Sequence, residues 1–275
     1  MKKQCKLLTL TLAVLFVSNN LWADTPNKYL NIQAGYGLGL GKLSTEELGN
    51  FTYDNNYFTY EQVALSLGQG FQFGADFGFM INNNIGIELG VSYLLGSEST
   101  FEYNDFIFDY YAKNTIHSQM LRVMPSIIIS SGLEKWNPYA KFGMVIQAGS
   151  IFGSSSMIED DDLISEEIKL SGGVALGANA GLGVLFNLSS NTSFFGELNM
   201  VNLAYAPSKG EITKLRINGV DELPNLTTSQ KEFEFFKSYS QDYNSPPLES
   251  DPRKLPKQNY PFGSIGINLG IRFHF

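Results

Sequence analysis

Eight times between residues 29 and 275 the sequence settles into two-residue alternation in which one face carries no Asp, Glu, Lys or Arg. Successive side chains of a β-strand point to opposite faces, so this pattern specifies strands with two different environments. The clearest instance ends the chain: Ile265, Ile267, Leu269, Ile271, Phe273 and Phe275 oppose Ser264, Gly266, Asn268, Gly270, Arg272 and His274. The others run over Tyr29–Gly41, Val63–Phe79, Ile85–Tyr93, Ile116–Ile129, Tyr139–Ser150, Ser171–Leu188 and Ser193–Tyr205. In the second, Val63, Leu65 and Leu67 share the apolar face of Phe71 and Phe73. In the seventh, parity slips: Leu198 and Met200 lie on one face, and Val201, Leu203 and Tyr205 then take over as the apolar face. A bulge near Met200 accounts for the slip. Pro125 cannot donate a ladder hydrogen bond and weakens the fourth strand locally.

A soluble sandwich also alternates, but two features favour a membrane. The apolar faces run for about five to eight positions, enough for a tilted strand to cross lipid. The connections also alternate in length. Asn82–Asn84, Ser130–Pro138 and Asn187–Asn191 are short, whereas the links after the first, third, fifth and seventh segments are long, the last spanning 206–261. Short turns on one side and long loops on the other are the pattern of a transmembrane barrel. The expected fold is all-β: an eight-stranded antiparallel transmembrane up-and-down β-barrel with long extracellular loops. After residue 23 no run of 18 apolar residues remains, which excludes membrane helices.

Residues 1–23 read as an export signal, leaving 24–275 as the barrel. Lys2, Lys3 and Lys6 precede an apolar run from Leu7 to Val17, and Ala23 offers a small residue at the cut. Cys5, the only cysteine, falls in the removed segment, so no disulfide or thiolate metal site is expected. Removing the three lysines from 19 basic residues leaves 16 against 27 acidic ones, a net charge of −11. That balance does not suit nucleic acid.

Several runs resemble a known family. Gly78-Phe79-Met80-Ile81-Asn82-Asn83-Asn84-Ile85-Gly86-Ile87-Glu88-Leu89-Gly90-Val91 is similar to a strand-turn-strand of bacterial outer-membrane β-barrel domain proteins, the small OmpA/OmpX-like barrels. So are Leu121-Arg122-Val123-Met124-Pro125-Ser126 and Asn137-Pro138-Tyr139-Ala140-Lys141-Phe142-Gly143. Ile271, Phe273 and Phe275 resemble the terminal signal that such proteins present to the outer-membrane assembly machinery. The resemblance implies a bacterial outer-membrane location and contact with outer-membrane lipid and lipopolysaccharide. It implies no separate peptidoglycan-binding domain, since nothing after Phe275 could supply one.

Eight strands leave a bore just wide enough for side chains. The inward faces carry mostly Gly, Ser, Ala, Asn and Gln, with three acids, Asp76, Glu88 and Glu197, and three bases, Arg122, Lys141 and Arg272. An unpaired charge there is costly, so the six are expected to form a neutral ion-pair network sealing the lower lumen, with Glu88 and Glu197 bracketing Arg122 or Arg272. The upper lumen looks rich in glycine, which would leave room for a narrow channel.

Enzyme chemistry finds little support. His117 and Ser118 are strand neighbours on opposite faces, and neither His117 nor His274 has an orienting acid at strand spacing. The glycines of Gly35–Gly41 lack the helix and spacing of a nucleotide loop. Glu159-Asp160-Asp161-Asp162 with Glu166 and Glu167 is dense in acid but lacks the spacing of a calcium loop. No catalytic, metal or cofactor residue is therefore expected. In the last loop, Glu211–Ile217 and Lys231–Lys237 read as strands, with Asn218-Gly219 as a turn, standing outside the membrane, and Pro246, Pro247, Pro252 and Pro256 as an extended link. The expected role is structural or adhesin-like, through an external ligand of the loops. The alternatives are a narrow solute channel and a lipid-modifying enzyme or protease.

Overall fold

The computed structural model describes residues 28–40, 49–54, 57–62, 65–106, 110–159, 162–240 and 248–275. The expected export signal and Val63 lie outside them.

Eight long strands form a closed wall: β1 Lys28–Leu40, β2 Gly70–Met80, β3 Ile85–Gly96, β4 Tyr110–Ser130, β5 Trp136–Glu159, β6 Ala175–Asn187, β7 Thr192–Asn202 and β8 Gly263–His274. Each pairs antiparallel with the next. β8 then pairs with β1 from Tyr29↔His274 to Leu40↔Gly263. The amide of Phe275 donates to the Lys28 carbonyl at 3.0 Å and that of Lys28 to the Phe275 carbonyl at 3.3 Å, completing the seam. The ladder is interrupted at Pro125, between the pairs Val123↔Ile146 and Ser126↔Gly143, as a residue without an N–H requires.

Alternation places Ile32, Phe73, Leu89, Leu121, Phe142 and Leu269 on the outside, all exposed. These faces form the apolar belt of a membrane barrel. The short connections gather at one end, where Asn82 Oδ1 accepts from the amides of Asn84 and Ile85 and fixes the first turn.

At the other end the long connections are largely β-sheet. β4 and β5 run to 21 and 24 residues, roughly twice the 9–11 that cross a bilayer. Asp162–Ser171 pairs with the upper part of β5, and Lys209–Ile217 pairs with Asp162–Ser171. Asn218 and Gly219 take positive φ of 51° and 84° and turn the chain into Val220; a left-handed pair at a two-residue hairpin favours Asn-Gly. Glu232–Phe236 joins next, and Arg253–Pro256 adds in parallel. On the other flank, Ser99–Asp105 pairs with β4 and carries the hairpin of Gly49–Asp54 and Tyr57–Gln62.

Two of the strand expectations need correction. The second strand begins at Gly70, and Leu65 and Leu67 are buried inside the barrel mouth instead of facing lipid. There the Leu67 amide donates to the Pro261 carbonyl at 3.0 Å, and Ser66 Oγ donates to the Gly263 carbonyl at 2.6 Å. Nor is there a bulge at Met200. The ladders of β7 run unbroken from Ser193 to Asn202 against β6 and from Thr192 to Val201 against β8. Parity never changes. Val201, Leu203 and Tyr205 continue the inward face of Phe195 and Glu197 and are apolar because the upper lumen is apolar.

Leu65, Leu67, Met120, Leu203, Tyr205 and Phe262 are the heart of this upper core. The Tyr205 hydroxyl lies 2.9 and 2.6 Å from the carbonyls of Gly149 and Gly172, between which its one proton is shared, so the buried hydroxyl is not left unpaired. The upper lumen is therefore filled with hydrocarbon, not left open by glycine. Phe262→Ala is expected to lower the unfolding free energy in lipid vesicles by about 3–5 kcal/mol. Val91→Arg, on the outer face, should cost about 2–4 kcal/mol near the bilayer midplane. Urea unfolding followed by tryptophan fluorescence reads both; an unchanged midpoint for Phe262→Ala would show that the core contributes nothing.

Candidate functional site

The lumen is stacked in layers. Nearest the short turns lie Met80, Ile128, Leu185 and Phe195. Above them sits the charged cluster. Lys141 Nζ lies 3.3 Å from Glu88 Oε1 and 3.1 Å from Glu197 Oε2, and Arg272 Nη2 lies 3.7 Å from Glu88 Oε2. All four side chains are buried. Tyr29 and Tyr139 each place a hydroxyl on one of the acids: Tyr29 donates to Glu88 Oε2 at 3.0 Å and Tyr139 to Glu197 Oε2 at 2.9 Å. The Arg272 guanidinium stacks on the Tyr29 ring at 3.7 Å, and its Nε donates to Asn31 Oδ1 at 2.8 Å. Two glycines make room for the rings. Gly78 is the cross-strand partner of Tyr29 and Gly183 of Tyr139, and a Cβ at either would collide with the ring beside it.

Of the six charges singled out in the sequence, the structure joins Glu88, Lys141, Glu197 and Arg272 through ion pairs. Asp76 belongs to the same layer but through amides: Asn31 Nδ2 donates to it at 3.1 Å and Gln33 Nε2 at 2.9–3.0 Å. The two glutamates bracket Lys141, not an arginine. Arg122 is apart. Its Nε donates to Gln147 Oε1 at 2.8 Å and its Nη1 to Gln72 Oε1 at 3.5 Å, and no carboxylate of the described residues lies within ion-pair distance of it. Strand alternation places all six inside, but partners depend on reach and on which amides intervene, which period-two reasoning does not supply.

Between the cluster and Arg122 a small cavity is lined by Gln33, Gln72, Ser92, Asn179, Glu197 and Asn268 among others, with about 10 Å³ of free volume. That is room for roughly one water molecule. Above Arg122 the apolar core begins. Charge buried between two apolar layers is held in register by its partners, because a lone member is strongly destabilising.

The histidines take no part in the ion pairs of this layer. His117 stacks on Phe152 with ring centroids 5.2 Å apart, while Ser118 Oγ donates to the Leu67 carbonyl. His274 Nε2 lies 3.1 Å from Ser193 Oγ, a cross-strand contact missed in the sequence because it joins β7 to β8. That serine also lies 2.6 Å from Asn187 Oδ1, and no carboxylate of the described residues orients the imidazole. The pair lacks the third member of a hydrolytic triad. Of the acidic loop, Asp160 and Asp161 lie outside the described residues. Asp162 accepts from Asn218 Nδ2 at 2.7 Å, and Glu167 pairs with Lys214 at 2.7 Å.

Outside the belt one flank of the external sheet is aromatic. Phe51, Tyr53, Phe58, Tyr60 and Tyr103 form a ring cluster with centroids 4.8–6.0 Å apart. Tyr57 at its edge is 80% exposed and Phe106 69%. The aromatic run Tyr57-Phe58-Thr59-Tyr60 is visible in the sequence but lies outside the eight alternating segments.

Lys141→Met would leave Glu88 and Glu197 buried without their shared cation. It is expected to cost about 3–5 kcal/mol, and adding Glu197→Gln should restore part of the loss. Urea titration in vesicles tests this, and equal midpoints for wild type and Lys141→Met would dissolve the network account.

Comparison with protein families agrees with this architecture. The family model described as "Outer membrane protein beta-barrel domain" matches residues 9–221. No curated protein matches the chain. Among solved structures, Neisserial surface protein A is 11% identical with a TM-score of 0.38, over 90% of this chain and 97% of that one. The outer membrane protein OprG of Pseudomonas aeruginosa is 10% identical with a TM-score of 0.43, over 92% and 98%. The attachment invasion locus protein Ail of Yersinia pestis is 10% identical with a TM-score of 0.30, over 91% and 100%. A closed eight-stranded wall with a lipid-facing belt, matched by that family model over most of its length, makes this chain a member of the outer membrane protein beta-barrel domain family, at home in the bacterial outer membrane.

Proposed function

We propose that the protein is a non-conducting, non-enzymatic surface barrel that acts through its external sheet. One observation carries this reading: the bore is filled along its length while the chain's exposed, chemically varied surface is concentrated on the external strands. The ion-paired layer and the apolar core occupy the lumen in series. The external strands then present Tyr57, Phe58 and Phe106 on one flank and the charged ladders of Lys169–Glu211 and Lys214–Glu167 on the other. Exposed ion pairs contribute little to stability, and exposed aromatic clusters of this kind mark contact surfaces. In the same reading Ile271 and Phe273, on the outer face of β8, and Phe275 just after it serve the assembly machinery, and the rim of the belt meets lipopolysaccharide. A narrow channel would require both lumen layers to move.

Two measurements test the reading. Planar bilayers containing the purified protein are expected to show no stable conductance, and steady openings of roughly nanosiemens scale would replace it with the channel. Cells displaying the intact barrel are expected to adhere to cultured epithelial cells several-fold better than cells whose residues 49–62 are replaced by a short Gly-Ser turn. Equal adherence would remove this hairpin from the account.

A further inference from the structure

We propose that the mid-lumen cavity is a binding site for one uncharged water molecule, which braces the barrel across its bore. Gln33 of β1, Asn179 of β6 and Glu197 of β7 line the cavity and are at most 8% exposed. Each keeps one buried oxygen without a partner: Gln33 Oε1, Asn179 Oδ1 and Glu197 Oε1. The rest of each side chain is committed, which fixes those oxygens as acceptors. Gln33 turns its NH2 group onto both oxygens of Asp76, Asn179 Nδ2 donates to Ser126 Oγ at 3.2 Å, and Glu197 gives Oε2 to Lys141 and Tyr139. Glycine leaves them room: a Cβ at Gly143 would lie 2.8 Å from Asn179 Oδ1, and one at Gly181 3.2 Å from Glu197 Oε1.

Donor count, charge and size select the ligand. Three free acceptors call for a donor, which excludes an anion. Asp76, Glu88 and Glu197 already balance Arg122, Lys141 and Arg272 in the lumen, so a cation would add a charge with no counterpart, and burial makes that costly. About 10 Å³ of free volume admits one small molecule, and water is the neutral donor of that size. Its two protons serve three oxygens. The Glu197 carboxylate takes one, because a charged acceptor binds hydrogen more strongly, and the two amide oxygens share the other. Its lone pairs have donors on the same cavity wall. Ser92 Oγ of β3 is buried without a partner, and Lys141 Nζ of β5 carries a third proton beyond those it gives to Glu88 and Glu197. The water thus links β1 and β3 with β6 and β7, strands that share no ladder. Apolar layers lie toward both ends of the bore, so its exchange with bulk water is slow.

The site is tested on the full barrel refolded into detergent. Crystals grown in rubidium bromide are expected to show one density peak in the cavity, without anomalous signal, about 2.5–3.2 Å from at least two of the three oxygens. Oxygen-17 relaxation dispersion in solution should then count one long-lived water fewer in Asn179→Leu, which replaces an acceptor by hydrocarbon of similar volume. Ser92→Val, which fills the cavity from the other wall, should lose the same water. Both variants are expected to keep the heat-modifiable gel mobility of a folded barrel, and if one fails to fold the other and the wild-type crystal still decide. An anomalous peak, which marks an ion, overturns the proposal. So does a cavity without density, or an unchanged count of long-lived waters in a folded variant.

Discussion

A strand inside hydrocarbon has no water to bond to, so every N–H and C=O along its edge must find a partner in another strand. In this chain the requirement is met by closing the sheet on itself, β8 against β1, with the Lys28–Phe275 pair at the end of the seam. Closure with eight strands fixes the bore, and the bore in turn dictates what may point inward. Glycine beside a tyrosine ring, an amide beside a carboxylate and a lysine between two glutamates are answers to one geometric demand. The interior of the barrel is as much a packed core as that of a water-soluble domain, but it contains a charged stratum between two apolar ones.

That layering explains which parts of the architecture were legible in the sequence. Period-two alternation reports which residues share a face, and it placed the strands and all six charges inside. It does not report what medium lies beyond the face. Leu65 and Leu67, and later Val201, Leu203 and Tyr205, are apolar because the barrel mouth is plugged, not because they meet lipid. In a plugged barrel an apolar side need not be the outer side. The external sheet was only half visible for a related reason. Outside the bilayer a strand needs no uncharged face, so the tops of β4 and β5 carry Lys113, Ser154 and Ser156 with no break in pairing.

Ion-pair partners were beyond the sequence altogether. Glu88 and Glu197 sit on strands that are not neighbours, and they meet only because Lys141 reaches both across the lumen. Arg122, whose side chain is as long as that of the ion-paired Arg272, has no acid within ion-pair distance among the described residues and bonds to the amides of Gln72 and Gln147 instead. The spatial order of side chains around a closed ring depends on register, and register became certain only with the paired strands.

The unequal height of the wall has a mechanical consequence. β4 and β5 stay paired, apart from the gap at Pro125, from Ser130↔Tyr139 beside the short turns up to Tyr111↔Ile158 in the external sheet. A tug on the tip of that sheet along the strand direction loads the ladder in shear, so its hydrogen bonds resist together; a sideways tug would peel them one after another. The tall hairpin thus works as a tether whose strength depends on the angle of the pull, and it hands the force directly to the part of the wall seated in lipid.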